Sequence, residues 1–528
     1  LHPSALAKRL YLLLFTAIIA FYFYGLGNLP LLGPDEPRYA QVAREMFLRG
    51  DWVTPTLGGH TWFEKPALVY WLMMASFRLF GVNEFSARLG SALCGLLTVA
   101  AVWFVARALE RNSNQSEGFA FWSTLVAASS LGLIVFSRAA SFDIAITMTT
   151  AWALAFFVVS EIGTRKKSGF LIGFYICVGL SLLAKGLVGI VVPFGVLGFY
   201  YLLRRRWPNR HVWLSLVWGV PLAFAVSAIW YGPVIARHGW TFIDQFFIQH
   251  HFARYVSNKY HHPQPIYFYP AIILLLALPW TAFIVDALVK ARRWAWRSDD
   301  AVSSARMFAL AWLLLPIVFF SFSGSKLPGY ILPSLPATAL LIADRLVQAE
   351  SRWPMRATGV ICLALAAGGF VYASRSGQIT IGCAELLAVP LVIAAAFAFV
   401  RREAALVLGV ATFVLVLVLL RCAAPPVTRR ESVRDLLRLA DARGYAGAPV
   451  LAQRSDDRSA QFYAYDRVIY NAQGEPITFD EVTLDEARAF GPRIVVLIPV
   501  RYVEDFRGAS KIEVLGDNGR IAVLGWQP

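Results

Sequence analysis

From Leu10 to Leu420 the chain alternates about thirteen apolar stretches of membrane-spanning length with polar connectors, and the connectors fall into two classes. A helix crossing a hydrocarbon core needs roughly 20 mostly apolar residues, because in lipid each backbone N–H and C=O must be satisfied within the protein. A 528-residue chain that is 58% hydrophobic and only 16% charged can hold many such spans. The expected fold is an all-α polytopic membrane protein, with spans at 10–27, 86–106, 118–136, 144–162, 169–184, 186–203, 212–235, 266–289, 305–322, 329–344, 357–373, 381–400 and 404–420. The first stretch follows Lys8 and Arg9 as a signal peptide would, but no convincing small-residue cleavage site follows, so it reads as an uncleaved span.

One class of connector holds Lys8-Arg9, Arg107 to Arg111, Arg165-Lys166-Lys167, Arg204 to Arg206, Lys290 to Arg297, Arg345 to Arg356 and Arg401-Arg402. The positive-inside rule makes these cytoplasmic. They also carry most of the net charge of +16, so that charge reflects topology and no nucleic-acid partner is expected. The other class faces out. It contains two long connectors, Asn28 to Phe85 and Ala236 to Pro265, and short ones around Asp143, Lys185 and Lys326. Within the first, Pro37 to Leu48 has an imperfect amphipathic stripe, and Ala67 to Phe80 is apolar but too short to span. Both are expected to be outer interfacial helices.

After Pro425-Pro426 the composition becomes mixed and nearly balanced in charge, which divides the chain into a membrane region, 1–424, and a soluble domain, 425–528. A helical pattern at Glu431 to Ala442, apolar runs at Val450 to Ala452 and Ile494 to Ile498, and the alternating end Ile512 to Leu524 predict a small α/β fold. An odd number of spans puts that domain outside. Of five cysteines, Cys94, Cys177 and Cys362 fall inside spans as small hydrophobes; Cys383 and Cys422, near the outer side, are too few to define a disulfide framework.

The outer connectors hold the residues fit for chemistry. Gly33-Pro34-Asp35-Glu36-Pro37-Arg38-Tyr39 places two carboxylates on a short loop, where they can position a nucleophile, take a proton or hold a metal. An equally simple reading makes Asp35 the cap of a helix with Pro37 in its first turn. Phe63-Glu64-Lys65-Pro66 adds a lysine at headgroup level, suited to a lipid phosphate or to plain surface anchoring. Asp143 and Lys185 stand at the same membrane level. Four of the eight histidines, His250, His251, His261 and His262, lie between Gln249 and Pro263 of the second long connector, near Arg254. They suggest a metal or phosphate site, without the strict spacing of a zinc motif. Ser323 to Tyr330 supplies Lys326 and Tyr330 at the mouth of a span. Among ligands, no phosphate-cradling glycine motif for a nucleotide is present.

Taken together, the acidic pair after the first span, Phe63-Glu64-Lys65-Pro66 with Tyr70-Trp71-Leu72, Arg138 to Asp143, Leu183 to Gly186, His251 to Arg254, and Lys326 to Tyr330 with Pro333 and Pro336 resemble the polytopic GT-C glycosyltransferases. The resemblance is strongest to the bacterial lipid A aminoarabinose transferases, relatives of the protein O-mannosyltransferases. One departure is Ala67, where relatives commonly have a second proline. The resemblance implies transfer of 4-amino-4-deoxy-L-arabinose from undecaprenyl phosphate to lipid A phosphates at the periplasmic face of the bacterial inner membrane, giving resistance to polymyxin and other cationic antimicrobial peptides. It implies Asp35 and Asp143 as catalytic carboxylates, and Arg38, Lys65, Lys185, Arg254, Lys326 and Tyr330 as ligands of the carrier phosphate or substrate. It leaves Glu64, His250 and His251 as ligands for a divalent metal such as zinc, which the chemistry does not demand. The expected partners are the lipid-linked sugar, lipid A and membrane lipids, with no obligate protein partner. Transfer of mannose to protein or of galacturonate to lipopolysaccharide are alternatives within the class, and a lipid-linked sugar flippase is the alternative outside it.

Overall fold

The computed structural model describes residues 5–528 other than 113–114, 116, 163–166, 254–263, 299, 349–350, 401–403, 453–457, 472–473, 480–481 and 507–510. The N-terminal part is a bundle of helices: α1 (Ala5–Phe23), α2 (Asp35–Arg49), α3 (Leu68–Phe80), α4 (Glu84–Asn112), α5 (Phe119–Ser129), α6 (Leu131–Ser137), α7 (Phe142–Ile162), α8 (Lys167–Lys185), α9 (Val188–Arg204) and α10 (Arg210–Ile243), followed by further helices to Arg430. Nine helices among the described residues are long and apolar enough to cross a membrane, ten if the bent pair α5 and α6 is one span. The other three of the thirteen expected spans are also helical: α1 with 19 residues, α9 with 17, and the pair Phe268–Leu276 and Thr281–Ala291.

Two of these spans break at the same place. The α5–α6 pair bends by 56° at Ser130, whose backbone is extended. The amide of Leu131 released by the bend donates to the Leu278 carbonyl at 2.9 Å, in the break between the other two helices. Non-helical backbone inside a bundle persists only where a neighbour satisfies it.

The two interfacial helices form as expected, with a two-stranded hairpin between them, β1 (Thr56–Leu57) and β2 (His60–Thr61), that ties back to α2. Glu45 of α2 accepts from Thr56 Oγ1 at 2.6 Å and from the amide of Gly58 at 2.8 Å. Helix α2 ends at Gly50, whose φ of 64° supplies the left-handed turn that lets its amide reach the carbonyls of Met46 and Phe47.

Three local expectations change. The region from Ala236, read as an outer loop, stays helical: α10 kinks at Gly239 and continues as a π-helix, Asp244–Ala253. Its aromatic residues Phe242 and Phe246 are buried against Phe63 and Trp230, so burial of apolar surface extends the helix. Pro425 and Pro426 do not interrupt the chain, which remains helical from Ala424 to Arg430. The prolines sit in that helix's first turn, where no amide donor is missed. Finally, Cys383 and Cys422 form a disulfide, their Cα atoms 5.7 Å apart. Cys94, Cys177 and Cys362 are free and buried.

The C-terminal residues form a four-stranded sheet in the order β3-β4-β6-β5, from β3 (Val450–Ala452), β4 (Ile494–Pro499), β5 (Ile512–Asp517) and β6 (Ile521–Trp526). β3 pairs parallel to β4, and the other pairs are antiparallel. β4 and β6 are buried on both faces, which is why β4 reads as a continuous apolar run; the alternation expected from Ile512 to Leu524 does not extend into β6, which is buried throughout. Alternate residues feed two cores: Val495, Leu497 and Val523 on one face, Ile494, Val496 and Leu524 on the other.

Candidate active site

Asp35 is the first residue of α2 and is exposed; Pro34 precedes it as cap, with no side-chain hydrogen bond to the helix. Asp35 therefore caps nothing. Its partner is Arg38, one turn on, at 2.5 Å. The adjacent Glu36 points inward and is buried. It accepts from Arg88 Nε at 2.9 Å and Nη2 at 2.7 Å, and from the amides of Leu32 (2.8 Å) and Ala140 (2.6 Å). Arg88 spends its remaining donors on the carbonyls of Leu26, Leu29 and Pro30. Of the two carboxylates, Glu36 locks the loop to α4 and Asp35 is presented to the outside.

Arg38 continues inward from Asp35. Its guanidinium lies 3.4 Å from Glu64, over the rings of Tyr39 and Trp62, and Lys65 lies 3.5 Å from the same Glu64. Burial is the largest single influence and opposes charge on Arg38, but Glu64, Tyr39, Asp35 and Tyr70 together outweigh it and hold the guanidinium above its usual range. Burial, then Asp35 and Glu64, push the Tyr39 phenol well up, so it remains an O–H donor. Asp35, Arg38, Glu64 and Lys65 thus form one continuous charged row.

A second row starts from Asp143, in the first turn of α7. Asp143 pairs with Lys185, the last residue of α8, and the Lys185 ammonium sits 4.6 Å over the Tyr330 ring. Tyr330 belongs to a short 3-10 turn, Pro328–Ser334. Gly329 in that turn leaves room for the Asp143 carboxylate: a Cβ there would run into it. The two rows meet at Phe142, which packs edge-on to Tyr39 (4.7 Å) and Tyr70 (5.2 Å). Lys326, beside the 3-10 turn, is buried, and its ammonium donates to the Ser323 carbonyl at 2.8 Å. Among the described residues it has no acidic partner.

Most residues expected from sequence are therefore brought to one end of the bundle: Asp35, Arg38, Glu64, Lys65, Asp143, Lys185, Lys326 and Tyr330. Arg254 and the His251 side chain lie outside the described residues. His250 is half-buried in the last turn of the π-helix. Among the described residues, no three His, Cys, Asp or Glu side chains gather as a metal ion needs. Glu64 faces two cations, a setting that does not fit a divalent metal. Sequence reading missed Arg88, Phe142 and the structural role of Glu36. A charged residue at the very start of a span was the available signal for Arg88.

Fold and site together define a polytopic GT-C-type glycosyltransferase fold with a charged site at the ends of its helices. The family model of dolichyl-phosphate-mannose-protein mannosyltransferases matches residues 8–294, more than half of the chain, and the chain belongs to that family. The undecaprenyl phosphate-alpha-4-amino-4-deoxy-L-arabinose arabinosyl transferase of Aeromonas salmonicida is 32% identical over 372 residues, 66% of this chain and 64% of the relative. The protein of the same name from Pseudomonas paraeruginosa is 34% identical over 370 residues, 68% and 64% of the two chains. The chain thus matches somewhat under two thirds of the length of these relatives. The crystal structure of ArnT from Cupriavidus metallidurans bound to undecaprenyl phosphate shares the fold, with a TM-score of 0.79, 24% identity and 98% of each chain covered. The archaeal oligosaccharyltransferase AglB of Archaeoglobus fulgidus is a more distant fold neighbour, with a TM-score of 0.52, 14% identity, and coverage of 94% of this chain and 70% of that one.

Proposed function

We propose that this chain transfers 4-amino-4-deoxy-L-arabinose from undecaprenyl phosphate to phosphate groups of lipid A, at the periplasmic face of the inner membrane. The observation that carries this reading is the pairing of an exposed, non-capping Asp35 with a row of half-buried cations at headgroup level. The named activity of the Aeromonas and Pseudomonas relatives supports the choice of sugar and carrier.

In this reading the bond between the sugar's anomeric carbon and the carrier phosphate breaks, the phosphate keeps the electron pair, and an acceptor phosphate oxygen closes on the carbon. The leaving phosphate gains charge, which Lys65, Lys185 and the buried Lys326 are placed to stabilise. A phosphate acceptor is already ionised at neutral pH, so Asp35 need not take its proton. Its task is to orient the sugar or acceptor and to stabilise positive charge developing on the ring. Asp143, held by Lys185, supplies a second negative charge nearby.

The Lys/Arg-poor connectors carry this site, and the Cys383–Cys422 disulfide, a bond typical of oxidising compartments, supports a periplasmic assignment for that side. We assign 1–424 to transfer and 425–528 to a periplasmic domain that braces α2. The other buried acidic residues favour an enzyme over a flippase. Asp286 pairs with Arg345 at 2.9 Å and Asp344 with Arg306 at 2.8 Å, both near the Lys/Arg-rich span ends. Transporters instead gather ionisable groups at the midplane. Mass analysis of lipid A from cells with and without the protein tests the proposal: aminoarabinose adducts that depend on Asp35 are expected, and adduct-free lipid A in expressing cells that make the donor overturns it.

A further inference from the structure

At the opposite, Lys/Arg-rich end of the bundle lies a cavity of about 560 Å³ between α8, α9 and α10, within the range of small-ligand pockets. Its wall is apolar and aromatic, including Phe174, Phe194, Leu197 and Trp213. Its mouth is rimmed by Arg205 and Arg206, with Trp207 85% exposed beside them. Among the described residues, no carboxylate lines it. Glu161, which accepts from Asn209 at 3.5 Å and interacts electrostatically with the lining residue Tyr201, stands behind the wall and not in it.

The rim has a specific construction. Arg204, the last residue of α9, is buried and occupied by Tyr200, Ser304 and the Ser298 carbonyl. The next residue turns left-handed, with φ 51° at Arg205, an unusual conformation for a residue bearing a side chain. Arg206 donates to the Arg297 carbonyl at 3.4 Å. Arg205 is exposed and, among the described residues, has no hydrogen-bond or ion-pair partner. On the wall, Gly198 faces the cavity, and a Cβ added there would meet nothing within 4 Å.

We propose that this cavity is a binding site for an anionic glycerophospholipid of the leaflet on the Lys/Arg-rich side, its acyl chain lying along Gly198 and its phosphate on Arg205. An apolar slot opening at headgroup level selects a lipid chain. A rim with cations and no carboxylate selects a negative headgroup over a zwitterionic one, and a tryptophan beside it is the usual companion of that depth. The site is separate from the transfer site and does not depend on the reading of that site.

The test uses the full chain in detergent, titrated with phosphatidylglycerol or phosphatidylcholine and read by native mass spectrometry. The expected result is one tightly held phosphatidylglycerol and no comparable phosphatidylcholine adduct. Gly198→Leu should remove that adduct by filling the slot; leucine is the stronger helix former, and an unchanged unfolding temperature confirms the fold. Arg205→Gln should weaken it by about tenfold or more, the loss of one charge-assisted hydrogen bond. Equal retention of both lipids, or an undiminished adduct in folded Gly198→Leu, overturns the proposal. So does one-for-one displacement of the bound lipid by undecaprenyl phosphate, which would make the cavity a carrier site.

Discussion

Asp35 and Glu36 are chemically similar neighbours that the fold separates completely, and the separation predicts different failures. Asp35→Asn keeps the shape, and among the described residues Asp35 hydrogen-bonds only Arg38, so the protein should express and fold normally while transfer falls by about 100-fold or more, as when one electrostatic stabiliser of a transition state is removed. Normal transfer in that variant would remove Asp35 from the chemistry. Glu36→Gln strands the buried Arg88 charge, and breaking a buried pair costs about 3–5 kcal/mol. Thermal unfolding in detergent should show the loss directly, before any assay. Lys65→Ala should weaken undecaprenyl phosphate binding by roughly 10- to 150-fold, the range for one charge-assisted hydrogen bond. Detergent removes membrane anchoring as an explanation, so unchanged affinity there would leave Lys65 only an anchor. Gly329→Ala should drive Asp143 off Lys185, with activity lost at unchanged carrier affinity if Asp143 acts on the sugar rather than on the phosphate.

At the scale of elements, α2 is the part that the rest of the molecule holds still. Arg88 grips its N-terminus, the β1–β2 hairpin grips Glu45, and the C-terminal residues grip its outer side. Arg44 donates to the Phe462 carbonyl at 2.9 Å and lies over the rings of Phe462 and Tyr465. The Tyr463 hydroxyl accepts from the amide of Leu31 at 2.8 Å and meets Glu84 at 3.1 Å. Tyr463→Phe should leave the sheet intact and loosen the approach to Asp35, giving a lower kcat with little change in carrier affinity. Equal loss of both would mark a general folding role. Much of α2 was legible beforehand because its stripe of Tyr39, Val42 and Met46 is local. The same holds for α3 and β4. What holds α2 was not legible: Glu36 and Arg88 are 52 residues apart, and Arg44 and Phe462 are 418 apart. Periodicity carries no information on such pairings. The aromatic cluster at Phe242 and Phe246 looked like a loop for the same reason, since its burial depends on Phe63 and Trp230.

For the molecule as a whole, the decisive question is which residues share a side of the membrane. The connector charges predict Asp35, Asp143 and the C-terminal sheet on one side, and Arg204 to Arg206 with Arg401-Arg402 on the other. The contacts of Arg44 and Arg434 with, respectively, Phe462 and Glu84 demand the first part of this, because the outer helices and the C-terminal residues touch. The disulfide makes a separate demand. Cys383 is near the start of the helix Ile381–Val400, and Cys422 follows the helix Ala404–Val418, so the bond closes over two adjacent segments at the end away from Val400 and Ala404. Thiol-reducing cytosol would keep that pair open, whereas a periplasmic face oxidises it. Alkaline phosphatase fused after residue 143 or after residue 450 should therefore be active, and fused after residue 206 inactive. In the intact protein Cys383 and Cys422 should resist a thiol reagent until a reductant is added, while the three span cysteines should react only after unfolding, being buried in both conditions. Fusions at 143 and 450 reporting opposite sides would break the shared-side topology and, with it, the contact between the C-terminal sheet and α2. Reagent-accessible Cys383 and Cys422 in untreated membranes would instead spare the topology and remove the argument that this face is the oxidising one.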